Sequence, residues 1–230
     1  MPFLHPSGGL VYHLRARRYG STLWPSFHGQ VREWLAGWRP AGDHLVLVGP
    51  SGGYALDQGF LQGFRRVSVL EPDRLARLIL KHRFPGIPFC FDEDPGLARP
   101  DGFSRLARRY PCGALLFCNL LGQSPVGQGA DFHRREWLAG LAPALAGRAW
   151  ASWHDLASTH EAPDETGTLR LERAESLESV LERYWRGGGR GELAIHDHEC
   201  AGLVPEAPRE YALWALRPGQ YHVVEWLVCG

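Results

Sequence analysis

The sequence predicts an α/β fold, namely a doubly wound, mostly parallel sheet flanked by helices with an antiparallel hairpin at its C-terminal end. Short apolar runs alternate with segments whose apolar residues recur at helical spacing, a rhythm typical of parallel sheets covered on both faces. Late in the chain, Pro218-Gly219 joins two strand-like runs, which indicates the hairpin. A glycine-rich turn at residues 49–53 follows the first predicted strand.

The N-terminal segment, residues 1–43, precedes the first strand and is predicted to be helical. Apolar residues at positions 31, 34, 35 and 38 recur at helical spacing, as expected of an amphipathic helix whose apolar face packs on the sheet. The aromatic residues of this segment are therefore interpreted as core.

Residues 44–73 are predicted to form a strand, a turn, a helix and a second strand. The run 45–48 is continuously apolar and β-branched, as in strands buried on both faces. A helix is expected at about residues 54–64 and a strand at residues 67–70. Glu71 then lies 22 positions after Gly49. In nucleotide-binding βαβ units, an acidic residue about 20 positions beyond the glycines reaches the ribose hydroxyls.

The remaining pattern continues the alternation of helices and strands. The predicted helices are a helix that begins at Pro72-Asp73, then residues 103–110, 132–146 and 176–185. The predicted strands are residues 87–91, 113–118, 149–153, 192–195, 211–216 and 221–228. In open α/β sheets, ligands bind outside the carboxyl ends of the strands, so the polar residues there matter most. These are residues 49–53, Glu71, Asp92, Glu93, Asn119, His154 and Asp155.

This set of strand-end residues resembles that of the class I (Rossmann-like) S-adenosylmethionine-dependent methyltransferases. The resemblance covers roughly residues 30–155. The family's first loop usually reads acidic-x-G-x-G-x-G, and this chain has Leu47 at the acidic position and Ser51 at the middle glycine. The first and last glycines match Gly49 and Gly53.

The resemblance implies S-adenosylmethionine as cofactor and a set of residues that bind it. They are Gly49, Ser51 and Gly53 in the first loop, Glu71 at the ribose, Asp92 at the adenine amino group and Asn119 near the transferred methyl. It also implies a division into an N-terminal helical extension (1–43), a cofactor-binding core (44–155) and a C-terminal part with acceptor-side loops and the hairpin (156–230). We expect these to form a single α/β domain.

The methyl acceptor, a small molecule or a protein, is not identified by the sequence. After the fourth strand, amino-methyltransferases often carry the sequence Asn/Asp-Pro-Pro-aromatic, whereas residues 119–123 read Asn-Leu-Leu-Gly-Gln. This difference disfavours a nucleobase or a glutamine amide as the methyl acceptor. Candidate catalytic residues are Asn119, His154, Asp155 and His198, with a histidine as general base.

Histidines and acidic residues near positions 154–161 and 196–199 also offer the ligand types of a divalent metal. Because they match neither an HExxH helix nor a cysteine pair, we assign no metal ligand. A metal-dependent hydrolase and a nicotinamide-dependent oxidoreductase are weaker alternatives, the latter because residues 49–54 do not satisfy GxGxxG. A non-catalytic nucleoside-binding or regulatory protein that kept the fold is the main alternative.

Composition bears on partners and location. The 25 basic and 25 acidic residues balance, so net charge provides no case for nucleic acid or an anionic membrane. Only one basic residue is a lysine, which favours a GC-rich bacterial source. We expect a cytoplasmic protein with buried free thiols, because its five cysteines form no paired framework and no long apolar run is present.

Overall fold

The computed structural model of the chain describes residues 9–123, 133–186 and 194–230. The helices in these ranges are α1 (Gly9–Tyr19), α2 (Pro25–Gly37), α3 (Gln58–Gln62), α4 (Arg74–Arg83), α5 (Gly102–Arg109), α6 (Arg134–Ala139), α7 (Leu141–Ala144) and α8 (Leu177–Tyr184). The strands are β1 (His44–Val48), β2 (Arg66–Leu70), β3 (Phe89–Phe91), β4 (Ala114–Cys118), β5 (Trp150–Thr159), β6 (Leu169–Leu171), β7 (Ile195–Asp197), β8 (Arg209–Arg217) and β9 (Gln220–Cys229).

These strands form one sheet in the order β3-β2-β1-β4-β5-β9-β8-β6, and β7 pairs with β5. The five strands β1 to β5 run parallel, whereas β9 is antiparallel to β5 and β8 is antiparallel to β9. The predicted fold class, including the terminal hairpin, is confirmed. Strand order changes direction between β1 and β4, which is the position where open α/β sheets bind ligands at their carboxyl ends.

Both faces of the sheet are buried under helices. Successive side chains of a strand point to opposite faces, so neighbouring residues belong to different apolar clusters. On β1, Leu45 and Leu47 pack in an apolar cluster with residues of α2, whereas Val46 and Val48 pack in a second cluster with residues of α5 to α8. The aromatic residues among positions 9–43 do lie in or against the first cluster, where the Trp24 indole also donates a hydrogen bond of 3.0 Å to the Leu216 carbonyl.

The strand β5 is twice as long as the sequence pattern predicts. We expected it to end at residue 153, but it continues to Thr159, so His154 and Asp155 are strand residues. The extension is possible because β9 pairs with β5 from Trp150 to Thr159, with a register irregularity between Asp155 and Ala157. The polar side chains of this stretch are typical of a strand end, although its backbone pairs with β9 on both sides of the irregularity.

Other boundaries also differ. The helix predicted at residues 54–64 is shortened to α3, which begins after Asp57, whose side chain accepts a hydrogen bond of 3.0 Å from Phe60 N. The helix predicted at residues 132–146 is divided into α6 and α7 at Gly140, and its first residue lies outside the described ranges. The strand predicted at residues 192–195 lies mostly outside them, and β7 begins at Ile195.

All five cysteines are free thiols. Cys118 and Cys200 are buried as expected, whereas Cys90 and Cys112 are exposed and Cys229 is partly buried. Cys90 lies on β3, which forms one edge of the sheet. Within the described ranges, we find no helix that combines the length and apolar character needed to cross a membrane.

Candidate functional site

The turn after β1 has an unusual backbone conformation. Gly49, Ser51 and Gly53 have φ angles of 67°, 51° and 67°, in the left-handed region that glycine adopts without steric cost. Ser51 adopts this conformation despite its side chain, at a cost of about 1–2 kcal/mol. The turn therefore keeps the backbone conformation of a glycine-rich loop at the one position where the chain has serine.

Glu71 fixes this turn to the end of β2. Its Oε2 accepts a hydrogen bond of 2.8 Å from Ser51 N, and its Oε1 accepts one of 3.0 Å from Asp73 N. The side chain is largely buried, with 7% of the residue exposed. Burial raises the pKa of Glu71 although both backbone hydrogen bonds lower it. Each carboxylate oxygen still has a second lone pair with which to accept a bond from a ligand.

Asp92 follows β3 at the same edge of the sheet. Its Oδ2 accepts a hydrogen bond of 2.7 Å from the Tyr110 hydroxyl, and the Arg109 guanidinium lies 4.0 Å from its Oδ1. Burial and the hydrogen bond to Asp92 raise the pKa of Tyr110 well above its ordinary value. Asp92 is therefore oriented by side chains from the end of α5.

Asn119 joins the end of β4 to the middle of β5. Its backbone has a φ of 52°, and its amide group makes a reciprocal pair of hydrogen bonds with Asp155. Asn119 Nδ2 donates to Asp155 Oδ2 at 3.2 Å, and Asp155 N donates to Asn119 Oδ1 at 3.0 Å. Two of the predicted site residues are thus in direct contact at the point where strand order reverses.

A cluster of Asp155, His198 and His222 extends this contact; we call it the Asp-His cluster. His222 Nδ1 lies 3.2 Å from Asp155 Oδ2, and the rings of His198 and His222 are 6.1 Å apart. Burial raises the pKa of Asp155, but His222, His198 and Asn119 lower it, and the resulting pKa lies below the ordinary value. Burial lowers the pKa of His198, although Asp155 opposes the shift.

His222 was missed by sequence reasoning. It lies on β9, opposite Ser158 of β5, and is surrounded in sequence by the apolar residues of a hairpin strand. Its only signal is that a histidine interrupts this run.

The other predicted histidine candidates are located elsewhere. His154 is fully buried, with its Nδ1 3.1 Å from Ser152 Oγ and its Nε2 3.6 Å from Glu225 Oε1. Burial lowers the pKa of His154 to about 3. His160 Nδ1 bonds to the Gly219 carbonyl at 2.6 Å. The exposed His196 stacks edge-on against His198 with ring centroids 4.9 Å apart.

The N-terminal helix α1 lies beside the carboxyl edge of the sheet. His13 Nδ1 bonds to the Tyr54 hydroxyl at 2.8 Å, and His13 Nε2 lies 3.8 Å from Asp73 Oδ2. The Tyr12 and Tyr54 rings are 5.7 Å apart. Burial raises the pKa of Tyr12, and the nearby Asp155 raises it further. The helix therefore packs against Tyr54, which directly follows the turn after β1, and against the segment after β2.

Two surface cavities flank this region. One, of about 350 Å³, lies between α1, α2 and Tyr54 and contains the basic side chains of Arg17, Arg32 and Arg83 in its wall. The other, of about 410 Å³, lies between α6, α7 and the segment that follows β7.

The order of the sheet and its antiparallel hairpin decide the fold. The chain has a Rossmann-like, doubly wound fold whose parallel sheet ends in an antiparallel hairpin. Among solved structures, it is similar to the DhpI–SAH complex, with 15% identity over 93% of this chain and 92% of that one and a TM-score of 0.42. It is likewise similar to a SAM-dependent methyltransferase from Anabaena variabilis, with 13% identity, 94% and 92% coverage and a TM-score of 0.45.

A third similar structure is magnesium protoporphyrin IX methyltransferase (ChlM) from Synechocystis with bound SAH, with 16% identity, 95% and 94% coverage and a TM-score of 0.43. Searches with family models and among curated proteins found no match to this chain.

Proposed function

We propose that this protein binds S-adenosylmethionine at the carboxyl edge of its parallel strands and transfers the methyl group to an acceptor. One observation carries the proposal: at the point where strand order reverses, the Glu71 carboxylate is bonded to the glycine-rich turn after β1. This location is where open α/β sheets bind nucleotides. A carboxylate there has the acceptor capacity that two ribose hydroxyls require.

The other predicted cofactor contacts lie in the order that such a ligand needs. Asp92, after β3, is beyond Glu71 along the edge and has carboxylate oxygens for an exocyclic amine. Asn119, after β4, is on the opposite side of β1 from Glu71. We therefore propose that the adenosine lies above β2 and β3 and that the sulfonium lies towards β4, with Gly49, Ser51 and Gly53 below it.

The reaction is an in-line displacement. The acceptor nucleophile forms a bond to the methyl carbon while the carbon–sulfur bond breaks, the electron pair stays on sulfur as a thioether, and the acceptor loses a proton. Positioning of donor and acceptor supplies much of the rate, on the order of 7–11 kcal/mol in well-oriented systems. Asp155 is hydrogen-bonded to Asn119, and its carboxylate is able to accept this proton.

A non-catalytic nucleoside-binding protein is the second candidate. Leu47, at the family's acidic position, is fully buried and offers no polar contact to the methionine part of the cofactor. Such a protein would retain the Glu71 contact without turnover.

Isothermal titration calorimetry with S-adenosylmethionine and S-adenosylhomocysteine tests the proposal. We expect both to bind with one-to-one stoichiometry, and binding of neither would refute the cofactor assignment. Incubation with labelled S-adenosylmethionine and fractionated small molecules and proteins then separates the two candidates. Transfer of label supports the methyltransferase, whereas tight binding without transfer supports the binding protein.

A further inference from the structure

The Asp-His cluster combines one carboxylate and two imidazoles from three separate strands or strand ends. Asp155 is on β5, His198 follows β7 and His222 is on β9. Their candidate ligand atoms all lie within 4.8 Å of one another. The pairing of β5 with both β7 and β9 brings them together, so the arrangement depends on the framework of the sheet.

Each member of the cluster has a buried polar atom without a hydrogen-bond partner among the residues described. These atoms are Asp155 Oδ1, His198 Nε2 and His222 Nδ1, of which the last lies 3.2 Å from Asp155 Oδ2 without hydrogen-bond geometry. Only 4% of Asp155 and 6% of His222 is exposed. A buried polar atom left unpaired costs about 1–3 kcal/mol, and such atoms are rare in folded proteins. Two atoms with no polar partner in the described part of the chain, Asp155 Oδ1 and His198 Nε2, together with a second imidazole against the same carboxylate, indicate that a ligand takes these free lone pairs.

Neighbouring groups hold the cluster in the orientation that a cation requires. His198 Nδ1 lies 2.9 Å from the Gly122 carbonyl, so this nitrogen carries the proton and Nε2 has a free lone pair. The Asn119 amide donates to Asp155 Oδ2 and leaves Oδ1 available. Histidine–carbonyl and amide–carboxylate contacts of this kind orient the ligands of metal sites.

We propose that Asp155, His198 and His222 bind one divalent transition-metal ion. The donor set contains two imidazole nitrogens and a carboxylate oxygen, which suits zinc and similar ions and disfavours magnesium, an ion that prefers oxygen ligands. Three protein ligands leave at least one coordination position for water or a substrate atom. The site lies against Asn119, next to the proposed position of methyl transfer, but ion binding itself does not depend on the proposed function.

Coordination through His222 Nδ1 has a consequence for Gln220. The Gln220 amide nitrogen now lies 3.2 Å from His222 Nε2, while its oxygen accepts a bond of 2.7 Å from Arg217 Nε. A metal on Nδ1 requires a proton on Nε2, so the amide group must turn over and present its oxygen. Arg217 is exposed and Gln220 is partly exposed, so water can replace the contact that is lost.

The experiment is a calorimetric titration with Zn²⁺ of the protein after removal of bound metal by a chelator. It is done in the absence of S-adenosylmethionine. We expect one ion per chain and a loss of affinity of about 100-fold or more in His198→Ala and His222→Ala, because even changes to groups that orient ligands cost 10–100-fold. The exposed His82→Ala on α4, away from the cluster, is the control and should bind as the wild type does.

Thermal unfolding of the metal-free variants checks that each one folds, and His198→Ala, at a less buried position, decides the matter if His222→Ala does not fold. Absence of Zn²⁺ binding by the wild type would overturn the proposal. So would equal losses in His82→Ala and His198→Ala, or Mg²⁺ binding as tight as that of Zn²⁺. Because no cofactor is added, these results are independent of whether S-adenosylmethionine binds.

Discussion

Glu71 Oε2 accepts a hydrogen bond of 2.8 Å from Ser51 N, so a single carboxylate connects the end of β2 to the turn after β1. Replacement by alanine removes this connection together with the proposed ribose acceptor. We expect Glu71→Ala to weaken S-adenosylmethionine binding by about 1–3 kcal/mol, or roughly 5- to 150-fold in Kd. Calorimetry measures the change, and the exposed Glu182→Ala on α8 is the control. An unchanged Kd in a folded Glu71→Ala protein would contradict the ribose assignment.

The reciprocal bonds between Asn119 and Asp155 allow a second test, because Asn119 also has a φ of 52°. Asn119→Gly loses the side-chain bonds but retains an easy left-handed backbone, whereas Asn119→Ala loses both. We expect Asn119→Ala to lower the free energy of unfolding by about 1 kcal/mol more than Asn119→Gly. Urea unfolding of the two variants gives the difference. If the alanine variant is as stable as the glycine variant, the left-handed conformation at this position is not imposed by the fold.

Much of this architecture follows from local sequence, and the Asp-His cluster does not. Alternating apolar runs and the Pro218-Gly219 turn are enough to predict the parallel sheet and the hairpin. In contrast, His222 lies 67 positions after Asp155 in the sequence, and the two meet because of the register of β9 against β5. Register depends on which faces of a strand are buried, and here an irregularity after Asp155 shifts it. No short motif records such a pairing.

The predicted carboxyl end of β5 is a second example of what local sequence does not determine. His154 and Asp155 are polar, so their positions suggest the carboxyl end of a strand, yet both are buried inside β5. His154 is accommodated by Ser152 and Glu225 on one face of the sheet, and Asp155 by Asn119 and His222 on the other. The strand-end argument therefore predicts both residues together, although the two side chains lie in separate environments.

A buried ion pair next to His154 gives a third prediction. Arg209 Nη1 lies 3.2 Å from both carboxylate oxygens of Glu225, and the two side chains are almost completely buried. Arg209→Met leaves the carboxylate without its cation and should destabilise the fold by about 3–5 kcal/mol. The double variant Arg209→Met/Glu225→Gln should recover part of this loss, because it removes the buried charge.

The control for this prediction is the surface pair of the exposed Arg170 and the partly buried Glu210, whose closest atoms are 2.6 Å apart. Arg170→Met should change stability by about 0–1 kcal/mol, because water screens the charges. Chemical unfolding of the four proteins measures the series. A double variant less stable than Arg209→Met would show that the charge of Glu225 is not the source of the loss.

Stability should also fall in mild acid, because two buried histidines stay neutral in the folded state. Burial lowers the pKa of His154 to about 3 and that of His28 to about 4, from the ordinary value of 6.5. Below pH 6.5 the unfolded chain therefore binds protons that the folded protein does not. Each histidine lowers the free energy of unfolding by up to about 1.4 kcal/mol per pH unit until the pH reaches its folded pKa.

The variant His154→Asn isolates one of these contributions. Between about pH 6 and pH 4, we expect its free energy of unfolding to fall less steeply than that of the wild type, by about 1 kcal/mol per pH unit. The exposed His160→Asn should keep the wild-type slope. Burial raises the pKa values of Glu71 and Glu225, so these groups bind protons more readily when folded and oppose the loss at low pH. All three proteins contain these two carboxyl groups, so the groups do not account for a difference in slope. Urea unfolding at several pH values measures the slopes. Equal slopes would show that His154 titrates alike in the folded and unfolded chains.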